Sequence, residues 1–158
     1  MSLGVHFALD QEQEGLVLGA ADDEELAAVI EEIEENSDSY WHMPSDKAWD
    51  AIHRCLAAVD RPGADLSLVV LGGRDLYEGA DYFVAHVTAE EVRALAQVLP
   101  SLDRELLHRL FFAMDVDDYY GPHDEQDFDY TWENFEDVRA FFTRAAEAGR
   151  AVVFTVDA

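Results

Sequence analysis

The first hydrophobic pattern along the chain is an alternation. Val5, Phe7 and Leu9 are apolar and are separated by single residues. A period of two residues is typical of a β-strand, so we predict a strand over residues 3–9. The polar segment that follows predicts a turn, and residues 16–18 are interpreted as a short return strand.

The next apolar positions recur every three or four residues, as they do along one face of a helix. They are Leu26, Val29, Ile30 and Ile33. This helix is predicted to begin near Asp22. Glu25 follows three residues later, which is the sequence spacing of a capping box. Residues 22–39 contain nine acidic side chains and no basic one. Because like charges repel along a helix, packing has to hold this helix in place.

A second helical pattern follows Pro44, with Ser45 as its predicted N-cap residue. Its apolar stripe consists of Trp49, Ile52, Leu56 and Val59. This spacing places Trp49 in the core. The unbroken apolar run over residues 66–71 then predicts a strand that is buried on both faces.

The second half of the chain adds strands at residues 82–87 and 151–156. Thr88 and Glu91 form a capping box for one more helix, and Thr131 is the predicted cap of the last helix. The chain shows no repeat and no linker-like segment, so we predict one domain over residues 1–158. The predicted fold class is α+β, with a mixed sheet of about four or five strands packed with about five helices.

The net charge of the chain limits the classes of molecule that it can bind. The chain has 35 acidic and 10 basic residues, a formal net charge of −25. Nucleic acids and anionic membranes attract lysine and arginine, so both are excluded as direct partners. Three interpretations of the acidity stay open: a device for solubility, a surface that meets a basic protein, and adaptation to salt. The oligomeric state is left open.

The single cysteine, Cys55, excludes an internal disulfide and a multi-cysteine metal site. The sequence contains no run of 18 apolar residues, so we predict no membrane span. The first residues carry acids and lack the basic start of a signal peptide. These features predict a cytoplasmic protein.

Residues 115–130 are dense in acids and are predicted to form a surface loop. A calcium loop needs ligand oxygens at positions 1, 3, 5 and 12 and glycine at position 6. Counting from Asp115, the positions that fail are Tyr119, Tyr120 and Gln126. We therefore predict no tight calcium site, no metal and no cofactor, with a divalent site of irregular spacing as the alternative.

One cluster on the second helix suggests chemistry. Asp50 and His53 are three residues apart, so an Asp-oriented His acting as a general base is one interpretation. The other is a half-buried His53 beside Trp49, with Asp50 paired to Arg54 four residues on. No activated nucleophile accompanies them.

The glycine pair Gly72 and Gly73 follows an apolar run, as some phosphate-binding loops do. The third glycine of the dinucleotide motif and the Gly-Lys-Ser/Thr sequence are both absent. We interpret the pair as a turn that requires positive φ.

Several segments together resemble one family. They are Asp-Lys-Ala-Trp-Asp-Ala-Ile-His at 46–53, Val-Leu-Gly-Gly at 70–73, residues 87–99 and residues 145–154. These resemble the YfbM-like family of bacterial proteins, domain of unknown function family 1877. The resemblance implies a cytosolic α+β domain and transfers no catalytic residue. It suggests a shared surface at Lys47, Trp49, Asp50, His53, Gly72 and Gly73.

Two function hypotheses follow. The first is a protein-binding module, for example an immunity-like partner that masks a basic protein. Tyr119 and Tyr120 lie among acids and join the candidate surface, because aromatic residues are favoured interface anchors. The alternative is a small enzyme with a pocket around Asp50 and His53.

Overall fold

A computed structural model describes residues 2–157, which contain one five-stranded sheet. The strands are β1 (Gly4–Leu9), β2 (His42–Asp46), β3 (Arg74–Asp75), β4 (Tyr82–Val87) and β5 (Ala151–Asp157). Their order across the sheet is β2-β1-β5-β4-β3, and every described pair is antiparallel. The α+β class is confirmed. The predicted mixture of parallel and antiparallel pairs is wrong. The helices between β1 and β2 and between β4 and β5 return the chain to the end of the sheet where the preceding strand finished, and the connection that contains α3 joins the two edge strands, which do not pair.

The helices form a layer on each face of the sheet. They are α1 (Gln11–Leu18), α2 (Asp23–Asn36), α3 (Trp49–Ala57), α4 (Ala89–Val98), α5 (Arg104–Ala113) and α6 (Glu125–Glu147). Helices α1 and α2 cover Phe7, Leu9 and Val153 in a small cluster. Helices α3 to α6 cover the opposite face in a larger cluster that includes Phe154 and Val152. Apolar side chains on both faces explain why β5 is buried along most of its length.

The strongest of the predicted helix and strand patterns are confirmed. Helix α2 buries Leu26, Ile30 and Ile33, and the Asp22 carboxylate accepts a hydrogen bond from the Glu25 backbone N–H at 2.8 Å. The strands predicted at 3–9, 82–87 and 151–156 correspond to β1, β4 and β5. The Thr88–Glu91 capping box is present in both directions.

The predicted turn and return strand over residues 10–18 are wrong. This segment is α1, which begins with a reciprocal capping box between Asp10 and Gln13. Val17 is the buried residue of the helix, and Leu16 and Leu18 are exposed. Because α1 has almost no apolar stripe, hydrophobic periodicity does not reveal it.

Two predictions around α3 are also corrected. Ser45 lies in β2 rather than at a helix N-cap, and its hydroxyl donates to the Gly4 carbonyl at 3.4 Å. Pro44 is tolerated in that strand because β2 is at the sheet edge. The run 66–71 contains a 3₁₀ helix, Leu66–Val69, rather than a strand. A short apolar run does not distinguish a buried strand from a buried helical turn.

The acidic loop is shorter than predicted, because α6 begins at Glu125. Asp124 is the N-cap residue, and its carboxylate accepts from the Asp127 N–H at 2.8 Å. Thr131, the predicted cap, lies inside the helix and donates its hydroxyl to the Asp127 carbonyl. The apolar stripe already begins at Phe128, which is fully buried.

Candidate functional site

Arg54 organises the predicted surface on α3. Its Nε lies 2.7 Å from Asp50 Oδ1, which confirms the predicted i,i+4 pair. Its Nη1 donates to the carbonyls of Asp115 and Asp117, each at 2.8 Å. The hydrogen bond that Arg54 donates to Asp50 is the main cause of the raised pKa of Arg54. Arg54 therefore attaches the start of the acidic segment to α3.

Asp50 and His53 do not form the pair that a general base requires. Both Asp50 oxygens accept hydrogen bonds from Arg54. His53 Nδ1 faces the backbone N–H of Leu71 at 3.5 Å. Burial lowers the pKa of His53, which favours the neutral ring. His53 therefore contacts the backbone of the apolar run rather than the carboxylate on its own helix.

The remaining residues of the predicted surface have local packing roles. Trp49 is half-buried rather than fully buried, and its indole N–H donates to the Ser2 carbonyl at 2.9 Å. A Cβ on Gly72 would lie 2.4 Å from Ser67 Oγ, and one on Gly73 would lie 2.8 Å from the His86 carbonyl oxygen. Neither glycine has positive φ. The glycine pair is needed for close approach, so the predicted reason is wrong.

Three predicted residues do meet, at a cavity of about 360 Å³ that we call the tyrosine cavity. Its lining consists of Lys47, Tyr119, Tyr120, Gly121, Pro122, Asp127 and Tyr130. Lys47, Tyr119 and Tyr120 belong to the surface suggested by the sequence. The other five members of that surface, Trp49, Asp50, His53, Gly72 and Gly73, lie outside the cavity.

Asp127 holds one wall of the tyrosine cavity. Its Oδ2 accepts hydrogen bonds from the Tyr119 hydroxyl at 2.6 Å and from the His123 N–H at 3.1 Å. Burial first, and then the bond to Asp127, raises the pKa of Tyr119. The His123 ring is fixed in turn by the Phe111 carbonyl, 2.7 Å from Nε2. The segment before α6 is thus folded back onto the first turn of that helix.

Tyr130 holds another part of the cavity lining. Its hydroxyl donates to Asp46 Oδ2 at 2.5 Å and accepts from the Lys47 backbone N–H at 3.0 Å. Burial and the bond to Asp46 raise the pKa of Tyr130 to about 12. Asp46 adopts a left-handed conformation with φ of 49° at the end of β2. The corner between β2 and α3 is therefore tied to α6.

The described residues provide neither a metal-binding cluster nor an accessible thiol. Within residues 2–157, no group of three histidine, cysteine, aspartate or glutamate side chains is arranged to hold a metal ion. Cys55 is buried, and burial raises the pKa of its thiol to about 12. Of the helices in this part of the chain, none is long and apolar enough to cross a membrane.

A second candidate surface lies on the other helical layer, in a groove of about 490 Å³ between α2 and the sheet. Its lining includes four exposed carboxylates, on Glu31, Glu34, Asp81 and Asp157. Its apolar lining residues are Leu3, Val5, Ala27, Ile30, Tyr77, Tyr82 and Val156. No lysine or arginine of the described chain lines this groove, which we call the acidic groove.

Sequence reasoning missed both cavities as assemblies. The acidic stretch of α2 is visible in the sequence, but its juxtaposition with Tyr77, Tyr82 and Asp157 depends on contacts between distant segments. The tyrosine cavity has a local signal in Tyr119, Tyr120 and Asp127, which lie within nine residues. Its lining residue Tyr130 is held by Asp46, which lies 84 residues away along the chain.

The molecule is an α+β protein whose antiparallel sheet lies between two helical layers. The chain belongs to the family described as Domain of unknown function (DUF1877), whose model matches residues 1–155. It is similar in fold to YfbM from Escherichia coli, a protein of unknown function, with a TM-score of 0.70, 21% identity and 99% of each chain covered. No curated protein matches the chain. The resemblance to the YfbM-like family is thereby confirmed.

Proposed function

We propose that this protein is a binding module that captures a basic segment of another protein in the acidic groove. The observation that carries the proposal is the composition of the groove: four exposed carboxylates, several apolar groups and no basic side chain. A lysine or arginine side chain would place its apolar stem on the floor and its charge among the carboxylates. An immunity-like role, in which a basic protein surface is masked, fits this chemistry.

The surroundings of the groove strengthen its attraction for a cation. The first 46 residues contain no lysine or arginine. On the outer face of α2, exposed acids continue beyond the groove at Glu32 and Glu35. Charge of one sign concentrated on one face raises association rates with an oppositely charged partner.

The apolar part of the groove supplies anchoring. Tyr77 and Tyr82 meet edge to face, with ring centroids 5.4 Å apart. Leu3 beside them is 55% exposed. Tyrosine rings attract guanidinium groups through their faces and are favoured at binding hot spots. An arginine flanked by an apolar residue is therefore the segment that the groove fits best.

The alternative hypothesis, a small enzyme around Asp50 and His53, has less support because both Asp50 oxygens are engaged by Arg54.

We further propose that the binding module acts in the bacterial cytoplasm and contacts neither nucleic acid nor membrane. The net charge of −25 supports this choice of partner. In gel-shift titrations we expect no salt-sensitive shift of single- or double-stranded probes.

Affinity capture from host extract tests the binding module. Three baits are compared: the wild-type protein, a groove variant with Glu31→Gln and Glu34→Gln, and a control with Glu133→Gln and Glu136→Gln. The control pair lies exposed on α6, in the other helical layer, and changes the net charge equally. We expect the wild type and the control to retain a basic protein that the groove variant loses. Retention of the same proteins by all three baits would contradict the proposal.

A further inference from the structure

The tyrosine cavity contains a buried carboxylate whose hydrogen bonding is incomplete. Asp127 is only 8% exposed. Both hydrogen bonds that its carboxylate accepts, from Tyr119 and His123, reach Oδ2. Oδ1 accepts none from any group in residues 2–157, and the residue lines the cavity. Oδ1 is not among the buried unsatisfied atoms and is therefore open to the cavity, where it is free to accept a hydrogen bond from a positively charged ligand.

Asp127 Oδ1 is the carboxylate oxygen of the cavity lining that no donor in residues 2–157 occupies. The hydroxyls of Tyr119 and Tyr130 donate to Asp127 and Asp46 and are thereby oriented toward protein carboxylates. A Cβ on Gly121 would lie 2.4 Å from the Tyr119 hydroxyl oxygen and 2.6 Å from Asp127 Oδ2. Glycine at this position therefore permits the close packing that holds the carboxylate at the cavity.

The only lysine of the chain lines the same cavity. The Lys47 backbone N–H is held by the Tyr130 hydroxyl. Its ammonium forms no ion pair with a carboxylate in the described part of the chain. The cavity thus offers one unpaired positive group and one incompletely bonded negative group, and tyrosine side chains in the same lining. A ligand with a single charge would satisfy only one of the two.

We propose that the tyrosine cavity binds a small zwitterion that carries an ammonium and a carboxylate group, the chemistry of a free α-amino acid. The ammonium donates to Asp127 Oδ1, and the carboxylate pairs with the Lys47 ammonium. Charge-assisted hydrogen bonds of this kind are about twice as strong as neutral ones. The volume of about 360 Å³ falls at the small end of known ligand cavities. This site lies in the helical layer opposite the acidic groove and does not depend on the binding module.

Calorimetric titration of the whole chain with charge-matched probes tests the proposal. The twenty free α-amino acids are screened at about 10 mM, a range that detects millimolar affinity. The best binder is then compared with its decarboxylated amine and its deaminated acid. We expect at least one amino acid to bind, and loss of either charge to weaken binding about tenfold or more. Absence of binding by all amino acids would overturn the proposal, as would an amine that binds as tightly as its amino acid.

Two variants assign the charges. Asp127→Asn should weaken both the amino acid and its amine, whereas Lys47→Met should weaken the amino acid and leave the amine unchanged. The matched control is Arg93→Met, which removes one exposed positive charge on α4. Lys47 is exposed and its structural hydrogen bond uses the backbone, so Lys47→Met should fold even where Asp127→Asn does not. Unchanged amino-acid affinity in Lys47→Met would overturn the zwitterion proposal.

Discussion

The acidic groove and the tyrosine cavity differ in whether their carboxylates are bound by donors of the same chain. In the groove, Glu31 and Glu34 face solvent and form no ion pair within residues 2–157. At the cavity, Asp46 and Asp127 accept hydrogen bonds from tyrosine hydroxyls, and nearby Asp50 binds Arg54. The difference follows from where the donors lie: the cavity side has the hydroxyls of Tyr119 and Tyr130 and the guanidinium of Arg54, whereas no lysine or arginine lines the groove. Acids near donors build structure, and the unpaired acids of the groove are those that the proposed function assigns to a partner.

The two helical layers behind these sites also differ in size. The layer of α1 and α2 is held by a small cluster that includes Ile30, and the opposite layer by a larger one that includes Ile52. Strands β1 and β5 contribute side chains to both clusters. Shared strands couple the layers, so we expect them to unfold together.

The largest expected effect comes from matched deletions in the two layers. Ile30→Ala and Ile52→Ala should each lower the free energy of unfolding by about 2–5 kcal/mol, because both side chains are buried. Denaturant unfolding followed by fluorescence and by circular dichroism measures the loss. If α2 melts in a separate early transition in Ile30→Ala, the layers are independent and the single domain predicted from the sequence is wrong.

The next effect concerns His6, which is fully buried against Phe141, Phe142 and Phe154. Burial lowers its pKa from the ordinary 6.5 to about 4. Below pH 6.5 the unfolded chain therefore binds a proton that the folded chain does not. Stability from this group is fully present above pH 6.5 and falls by about 3 kcal/mol as the pH drops to 4.

Unfolding measured from pH 4 to 7 in the wild type and in His6→Gln isolates that contribution. Glutamine can still donate to the Val69 carbonyl that lies 2.7 Å from His6 Nε2, but it does not titrate. The difference between the two pH profiles should grow as the pH falls below 6.5. Parallel profiles would show that His6 becomes protonated in the folded protein.

A smaller loss of stability is expected when the Arg54 guanidinium, which donates to Asp50 and to the carbonyls of Asp115 and Asp117, is removed. Arg54→Met should cost about 1.5–3 kcal/mol, the range for hydrogen bonds to charged groups, and should loosen residues 115–118. Denaturant unfolding and hydrogen exchange of this segment give the two readouts. Arg93→Met is the control and should change stability by less than about 0.5 kcal/mol. Unchanged exchange at 115–118 would mean that Arg54 does not hold the segment.

The smallest effect on stability is expected on the acidic side. Replacing Glu31, Glu32, Glu34 and Glu35 by glutamine should leave stability equal or higher by a few tenths of a kcal/mol, since repulsion along α2 is relieved. With a captured partner, the same variant should associate more slowly and with a flatter salt dependence, while dissociation changes much less. Stopped-flow association at several salt concentrations measures this. An unchanged association rate would reduce the acidic face to a solubility device.

Prediction from sequence succeeded where a pattern is local and strong. The stripe of α2, the alternation of β1 and the Thr88–Glu91 box each depend on residues within about two turns or one strand. It failed for α1, for the 3₁₀ turn at Leu66 and for the start of α6. In these segments apolar periodicity is weak or short, or dense acids obscure which aspartate caps the helix.

The sequence by itself determined the charge, the α+β class and the family of this protein, because composition and local periodicity are properties of the chain. Only the tertiary structure decided which acids are satisfied. The pairing of Asp46 with Tyr130 and the groove between α2 and β5 join segments that are far apart in sequence. Such contacts follow from packing both helical layers onto one sheet, and packing depends on shape and burial in three dimensions.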